Sequence, residues 1–109
     1  MGKSFRDIVA WQKAHQLTLE VYKIKYPREE VYGIQSQIRR SAVSIANNIA
    51  EGSGRNTSKE LIQYLIISRG SLEETRYLLF HIVFQLISGS QYNYHICKQR
   101  AGYSKNISV

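Results

Sequence analysis

Apolar residues recur at intervals of three and four along most of the chain, and a few glycines and one proline interrupt them. That spacing is typical of amphipathic α-helices. No stretch shows the alternation of polar and apolar residues that marks a half-buried strand. The breaks fall at Pro27, Gly33, Gly52 to Gly54 and Gly89. The pattern therefore predicts an all-α protein with four helical segments. Its helices are expected over about residues 5–25, 34–51, 58–87 and 91–107.

The second predicted helix has the most regular apolar stripe, which consists of Ile34, Ile38, Ala42, Ile45 and Ile49. Many of the other residues in this segment are serines, alanines and asparagines, whose small side chains let neighbouring helices approach closely. We therefore expect this helix to lie centrally, in contact with several others. Gly52 is interpreted as a left-handed cap that ends it.

The third predicted helix begins at a capping box formed by Thr57 and Glu60. It extends to about Ile87, a length of about 45 Å at 1.5 Å per residue. Apolar residues cover much of its circumference, so it needs more than one neighbour. The residues predicted to form its seam are Leu61, Leu65, Leu72, Leu79, Val83 and Leu86.

The fourth predicted helix has the weakest pattern. Tyr92, Ile96, Tyr103 and Ile107 indicate a helical stripe, but Gly102 interrupts it and the segment contains no leucine. Because short isolated helices are marginal in water, this one is expected to be ordered only where it docks on the third helix. We predict a short or weak fourth helix.

Charge and cysteine content narrow the class of protein. The chain has 109 residues, the size of one domain, with 15 Lys and Arg against 8 Asp and Glu and a net charge of +7. Such a balance favours polyanionic partners, either nucleic acid or an acidic membrane face. No apolar run reaches the roughly 20 residues of a membrane span. A single cysteine, Cys97, is in keeping with the reducing cytoplasm.

Arg39 and Arg40 are the first candidates for contacts with nucleic acid, because they lie beside the apolar stripe of the second helix. Arginine suits both phosphate contacts and ion pairs within a protein. The alternative is therefore that one of the two pairs with Glu73 or Glu74 across the bundle and fixes the register of the helices.

Further candidates lie at the turn before the third helix and near the N-terminus. Arg55 and Lys59 flank a helix start whose free N–H groups suit a phosphate, although the glycines before it are more typical of a plain turn. Lys13 and Arg6 belong to a basic N-terminal helix that is otherwise interpreted as solvated surface.

Catalytic machinery is not expected. The histidines His15, His81 and His95 fall on three different segments, without a nucleophile or carboxylate at a suitable spacing. Cys97 has no paired motif, and no group of residues has the spacing of metal ligands. We therefore predict neither an enzyme nor a cofactor or metal site.

Four runs of sequence carry a resemblance to a known family. They are FRD (5–7), WQKA (11–14), YGIQSQIRRSAVSIANNIAEG (32–52) and SRGSLEE (68–74). These runs closely resemble the four-helix-bundle proteins of the bacterial 23S rRNA intervening sequences, over about the first 87 residues. The family usually continues with a longer fourth helix rich in leucine and glutamate, whereas residues 91–109 are basic here.

The resemblance implies an antiparallel up-down four-helix bundle that assembles into a ring-like homopentamer. It also implies a basic surface that binds RNA or DNA, and no enzymatic activity. Relatives of the family include the accessory variability determinant proteins of diversity-generating retroelements, so the resemblance also implies a reverse transcriptase as a possible partner. The hypothesis is thus a noncatalytic nucleic-acid-binding bundle. The alternative is a structural or protein-interaction module whose arginines are held in ion pairs.

Overall fold

The computed structural model describes residues 4–26, 28–30 and 33–88, and all regular structure among them is helical. The elements are a 3₁₀ turn at Phe5–Asp7, α1 at Val9–Lys23, a 3₁₀ turn at Arg28–Glu30, α2 at Ile34–Ser53 and α3 at Ser58–Ser88. The predicted all-α class is confirmed for this part of the chain. The fourth predicted helix, 91–107, lies outside the described residues.

The first predicted helix, 5–25, is a 3₁₀ turn followed by α1. Ser4 Oγ accepts a hydrogen bond from the Arg6 N–H (3.2 Å), which caps the turn. Ile8 then has an extended backbone, with φ −80° and ψ 122°, and separates the turn from α1. The side-chain amide of Gln12 donates to the Arg6 carbonyl oxygen (2.8 Å), so an acceptor at the end of the turn has a partner.

Helix α2 is the central element, because α1 and α3 both pack against it. Its predicted apolar stripe is confirmed, since all five residues of that stripe are buried. The larger core cluster combines Val21 of α1, Ile38 of α2 and Leu78 of α3. The buried hydroxyl of Thr18 donates to the Ala42 carbonyl oxygen (3.2 Å) and ties α1 to α2.

Hydroxyl groups line the contact between α2 and α3. We call Ser41, Ser44, Ser68, Ser71 and Thr75 the hydroxyl seam. Its bonds join Ser41 Oγ to Thr75 Oγ1 (2.8 Å), Ser44 Oγ to Ser71 Oγ (2.8 Å) and Ser68 Oγ to the Ile45 carbonyl oxygen (2.9 Å). The two helices are antiparallel, because rising numbers on one meet falling numbers on the other. Each buried hydroxyl is thereby hydrogen-bonded, which removes the cost of burying it.

The face that α3 turns toward α2 differs from its predicted leucine-rich seam. Leu78 is completely buried, and Ser68, Thr75 and Ile82 are buried with it. By contrast, several of the predicted seam residues are exposed, as are the aromatic and aliphatic residues near the end of the helix. The exposed set includes Leu65, Leu72, Val83, Leu86, Phe80 and Ile87.

Gly52 is a buried residue in the last turn of α2, so its interpretation as a left-handed cap was wrong. A Cβ atom at this position would lie 2.9 Å from the Tyr64 Cβ and 3.1 Å from the Leu61 Cδ1. The missing side chain therefore lets the start of α3 cross close to the end of α2. Of the predicted capping box, the structure has the bond from the Glu60 N–H to the Thr57 Oγ1 (3.2 Å).

Candidate nucleic-acid interface

The six predicted nucleic-acid-binding residues are spread over the described bundle and do not converge on one point. The antiparallel packing brings the N-terminal turn, the end of α2 and the start of α3 to one end of the molecule, and Phe5 lines a shallow pocket there with Arg55. Arg6, Arg55 and Lys59 belong to this end. The other three are Lys13 on the middle of α1 and Arg39 and Arg40 on the first half of α2.

Arg39 is half-buried and bonded to the end of α1. Its guanidinium donates to the Tyr22 carbonyl oxygen (3.2 Å) and lies 4.6 Å from the centre of the Tyr22 ring. The centre of the Tyr26 ring is 6.0 Å from the same guanidinium. Burial raises the pKa of the Tyr26 hydroxyl, and the opposing effect of the Arg39 charge is smaller. Arg39 therefore satisfies a carbonyl of the last turn of α1, where a cation also interacts favourably with the helix dipole.

The alternative of an ion pair between α2 and the acidic pair of α3 is not what the structure shows. Glu73 pairs with Arg76 one turn further along α3 (3.1 Å), and both side chains are exposed. Among the described residues no ion pair joins Arg39 or Arg40 to Glu73 or Glu74. The register of α2 on α3 is therefore fixed by the hydroxyl seam rather than by charge.

Replacing Arg39 by alanine should lower the free energy of unfolding by about 1–2 kcal/mol, because it removes a charged hydrogen bond and a cation–π contact. Arg40→Ala is the matched control. Arg40 is the next residue on the same helix but is exposed, so its loss should change stability by less than about 0.5 kcal/mol. Urea unfolding followed by circular dichroism measures both. Equal losses would show that Arg39 does not hold α1 in place.

Arg55 is also engaged within the protein. It pairs with Glu51 (3.3 Å) and donates to the Tyr64 hydroxyl oxygen (2.6 Å). Its guanidinium lies 4.9 Å from the centre of the Tyr64 ring. Arg55 thus links the end of α2 to the first turns of α3, and any phosphate would compete with these groups for it.

The remaining predicted cations are open to solvent. Lys13, Arg40 and Lys59 are exposed, and none of them forms an ion pair with another described residue. Arg6 is exposed as well, with its guanidinium 5.9 Å from the centre of the Phe5 ring. An unpaired cation can bind a phosphate without first losing a carboxylate partner.

An apolar groove of about 410 Å³ runs between α1 and α3, with α2 as its floor. Leu17, Ile45, Ile49 and Leu72 are among its lining residues. Lys13 also lines it from α1, and Arg69 faces it from α3. The groove is thus an apolar surface with Lys13 on its α1 side and Arg69 on its α3 side.

Sequence reasoning missed an aromatic stack on α1. The rings of Trp11 and His15 are stacked, with centres 4.9 Å apart and planes at 11°. The Phe5 ring meets Trp11 edge to face at 5.0 Å. The signal was present in the spacing, because residues 11, 15 and 22 lie on one side of a helix. It was obscured because His15 was considered only as a candidate for catalysis.

Comparison with known proteins adds to this geometry. The model of the 23S rRNA-intervening sequence protein family matches residues 6–101. The chain belongs to this family. No curated protein and no solved structure matches the chain. The matched range contains every element from α1 to α3 and all six predicted cations.

The described part of this family member contains no group of three or more His, Cys, Asp or Glu side chains that could hold a metal ion. His15 is exposed and stacked on Trp11, and His81 is buried near Tyr77 (6.2 Å between ring centres). His95 and Cys97 lie outside the described residues. None of the described helices is both long and apolar enough to span a bilayer.

Proposed function

We propose that this chain is a noncatalytic nucleic-acid-binding protein that works as a homo-oligomer. The observation that carries the proposal is the set of exposed cations without carboxylate partners, which occurs on all three described helices: Lys13 on α1, Arg40 on α2 and Lys59 on α3. They belong to a chain with a net charge of +7, so their fields add to one another.

The proposed interface gives the six cations different roles. Lys13, Arg40, Lys59 and Arg6 contact phosphates, because nothing in the described structure neutralises them. Arg39 and Arg55 instead position α1 and α3 on α2 through their bonds to Tyr22 and Tyr64. They still add to the positive field, but their removal would mainly lower the free energy of unfolding.

The proposal also includes the four-helix bundle and its assembly into a pentamer, as the family resemblance implies. The apolar groove between α1 and α3 has the location that a fourth helix occupies in such a bundle, and the predicted helix 91–107 is the segment to fill it. Phe80, Leu86 and Ile87 are 68–80% exposed on α3, which supports self-association through that helix.

Two further parts of the proposal rest on the resemblance and on composition. The resemblance to accessory proteins of diversity-generating retroelements makes a reverse transcriptase a proposed partner beside RNA or DNA. The lone cysteine supports a cytoplasmic location.

Binding of the full chain to structured RNA, duplex DNA and an RNA–DNA hybrid, measured across a salt series, tests the proposal. We expect affinity of micromolar or better near physiological salt, with the logarithm of the association constant falling linearly with the logarithm of salt concentration. A double variant, Arg40→Gln with Lys59→Gln, should bind more weakly and reduce the salt slope by about one for each phosphate that is no longer neutralised.

The matched control is Lys23→Gln with Arg76→Gln. It removes the same net charge, but from cations that Glu20 and Glu73 already neutralise. It should keep most of the affinity, and both variants should keep the helicity and oligomeric mass of the parent. No binding at physiological salt would overturn the proposal and favour a protein partner. Equal losses in the two variants would show that Arg40 and Lys59 do not bind the phosphates.

A further inference from the structure

We propose that α1 and the 3₁₀ turn before it carry a stacking site for unpaired nucleobases, formed by Phe5, Trp11 and His15, and that the protein therefore prefers single-stranded over duplex nucleic acid. The inference rests on the proposed function and specifies its ligand. We call these three residues the α1 stack.

The inner part of the α1 stack is fixed by the core. Trp11 packs against the buried cluster that contains Ala14, Ile45 and Ile49, so the core holds its indole ring in place. Phe5 supports it from the side, edge to face. An aromatic ring with a fixed position is a better platform than a mobile one, because less side-chain entropy is lost when a ligand binds.

The outer part of the α1 stack is accessible. His15 is exposed, and its ring lies nearly parallel to the indole of Trp11, 11° apart. Among the described residues, Trp11 supplies the ring that lies against His15. The stack thus orients the imidazole before any ligand arrives. A base can continue the stack on the exposed imidazole, since every base has a flat face of this kind.

Cations lie beside the aromatic rings along the same side of α1. The Arg6 guanidinium is 5.9 Å from the Phe5 ring. Three turns along α1 from Trp11, Tyr22 is about half exposed, and the Arg39 guanidinium lies 4.6 Å from the centre of its ring. Proteins hold single strands with aromatic rings on the bases and cations on the phosphates. Arg6 supplies such a cation beside the α1 stack, whereas Arg39 stays bonded to Tyr22 and adds only to the positive field.

This surface is separate from the apolar groove. Ala10, Lys13 and Leu17 line the groove, whereas Trp11 and His15 do not. A fourth helix packed in the groove would therefore leave the α1 stack open. The bases of a duplex already stack on one another and offer no free face along its length, so the site selects unpaired segments.

Trp11 is the only tryptophan of the chain, and its ring centre lies 4.9 Å from that of His15. Its emission therefore reports on a base that stacks on the imidazole. The full chain is titrated with single-stranded DNA and RNA, with abasic strands of equal length and phosphate number, and with duplex DNA. We expect a base-containing strand of either sugar type to quench Trp11 emission to saturation. Abasic strands should bind about tenfold more weakly and leave the emission unchanged.

Variants of His15 separate stacking from charge. His15→Ala should weaken binding of base-containing strands about tenfold and leave abasic binding unchanged, whereas His15→Tyr should restore the affinity because it restores a flat ring. Gln16→Ala is the matched control, an exposed neighbour on another side of α1, and should change neither.

The outcomes distinguish the two proposals. Strands that bind with salt-dependent affinity but leave Trp11 emission unchanged, or abasic strands that bind as well as base-containing ones, would overturn the stacking site and leave the proposed function standing. Failure of every nucleic acid to bind would overturn both.

Discussion

Replacing Ile38 by alanine should lower the free energy of unfolding by about 2–5 kcal/mol. Ile38 is completely buried at the point where α2 meets both neighbours, and its core cluster includes Val21 of α1 and Leu78 of α3. Truncation removes apolar packing and leaves a cavity between three helices. Because those helices are tied by Thr18 and the hydroxyl seam, we expect the walls to relax only partly.

Val43→Ala is the control for this prediction. Val43 lies on the same helix but is 43% exposed, so its truncation should cost less than about 0.5 kcal/mol. Urea unfolding followed by circular dichroism measures both variants, at one fixed protein concentration because self-association adds to apparent stability. A loss at Ile38 no larger than that at Val43 would mean that Ile38 is not at the centre of the core.

The periodicity of α2 was sufficient to predict its packing. Its stripe from Ile34 to Ile49 is apolar and its flanks are small, so hydrophobicity and shape indicate the same face. The close approach of α3 at Gly52 follows from the same composition, although the glycine was interpreted as a cap. The residue pattern within α2 is therefore enough to predict its buried face, because hydrophobicity and side-chain size do not disagree there.

The packing of α3 could not be predicted in the same way. Hydrophobicity alone favours a contact through Leu65, Leu72 and Leu86, but Ser68 and Thr75 face α2 instead. Their hydroxyls find partners on α2, and each bond saves the cost of an unsatisfied polar group. A pattern of one helix does not contain this information, because the pairing depends on a second helix.

The sequence identified the cations that could form the interface, but not which of them are bonded within the protein. The sequence shows two adjacent arginines at positions 39 and 40, and only the structure shows that the first bonds to α1 while the second forms no ion pair with a described residue. The difference arises because adjacent helical residues point about 100° apart. The carbonyl that Arg39 reaches belongs to Tyr22, in a different helix, and no spacing rule within α2 identifies it.

The apolar groove and the α1 stack lie on two different sides of the described bundle. The groove side presents Leu17, Leu65 and Leu72, which suits a helix of the same chain or of another copy. The other side of α1 presents the α1 stack with Arg6, which suits bases and phosphates. The proposed self-association through α3 and the proposed stacking of bases on α1 are therefore compatible, because they use different surfaces.

Replacing Gly52 by alanine should lower the free energy of unfolding, because overpacking between α2 and α3 costs about 1–3 kcal/mol. The added methyl group would lie 2.9 Å from the Tyr64 Cβ, which is fixed to the backbone and cannot rotate away. The helices must then separate near Gly52, and the closest bond of the hydroxyl seam, from Ser68 to the Ile45 carbonyl oxygen, is expected to lengthen. This cost exceeds the roughly 0.5–1 kcal/mol that alanine gains over glycine within a helix.

The same substitution at Gly70 should have the opposite sign. Gly70 is exposed in the middle of α3, and a Cβ atom there has no heavy atom within 4 Å. Only the helix propensity changes, so Gly70→Ala should raise the free energy of unfolding by roughly 0.5–1 kcal/mol. Urea unfolding of both variants compares them on one scale. If both substitutions stabilise the protein, α3 does not cross α2 as closely at Gly52 as the structure shows.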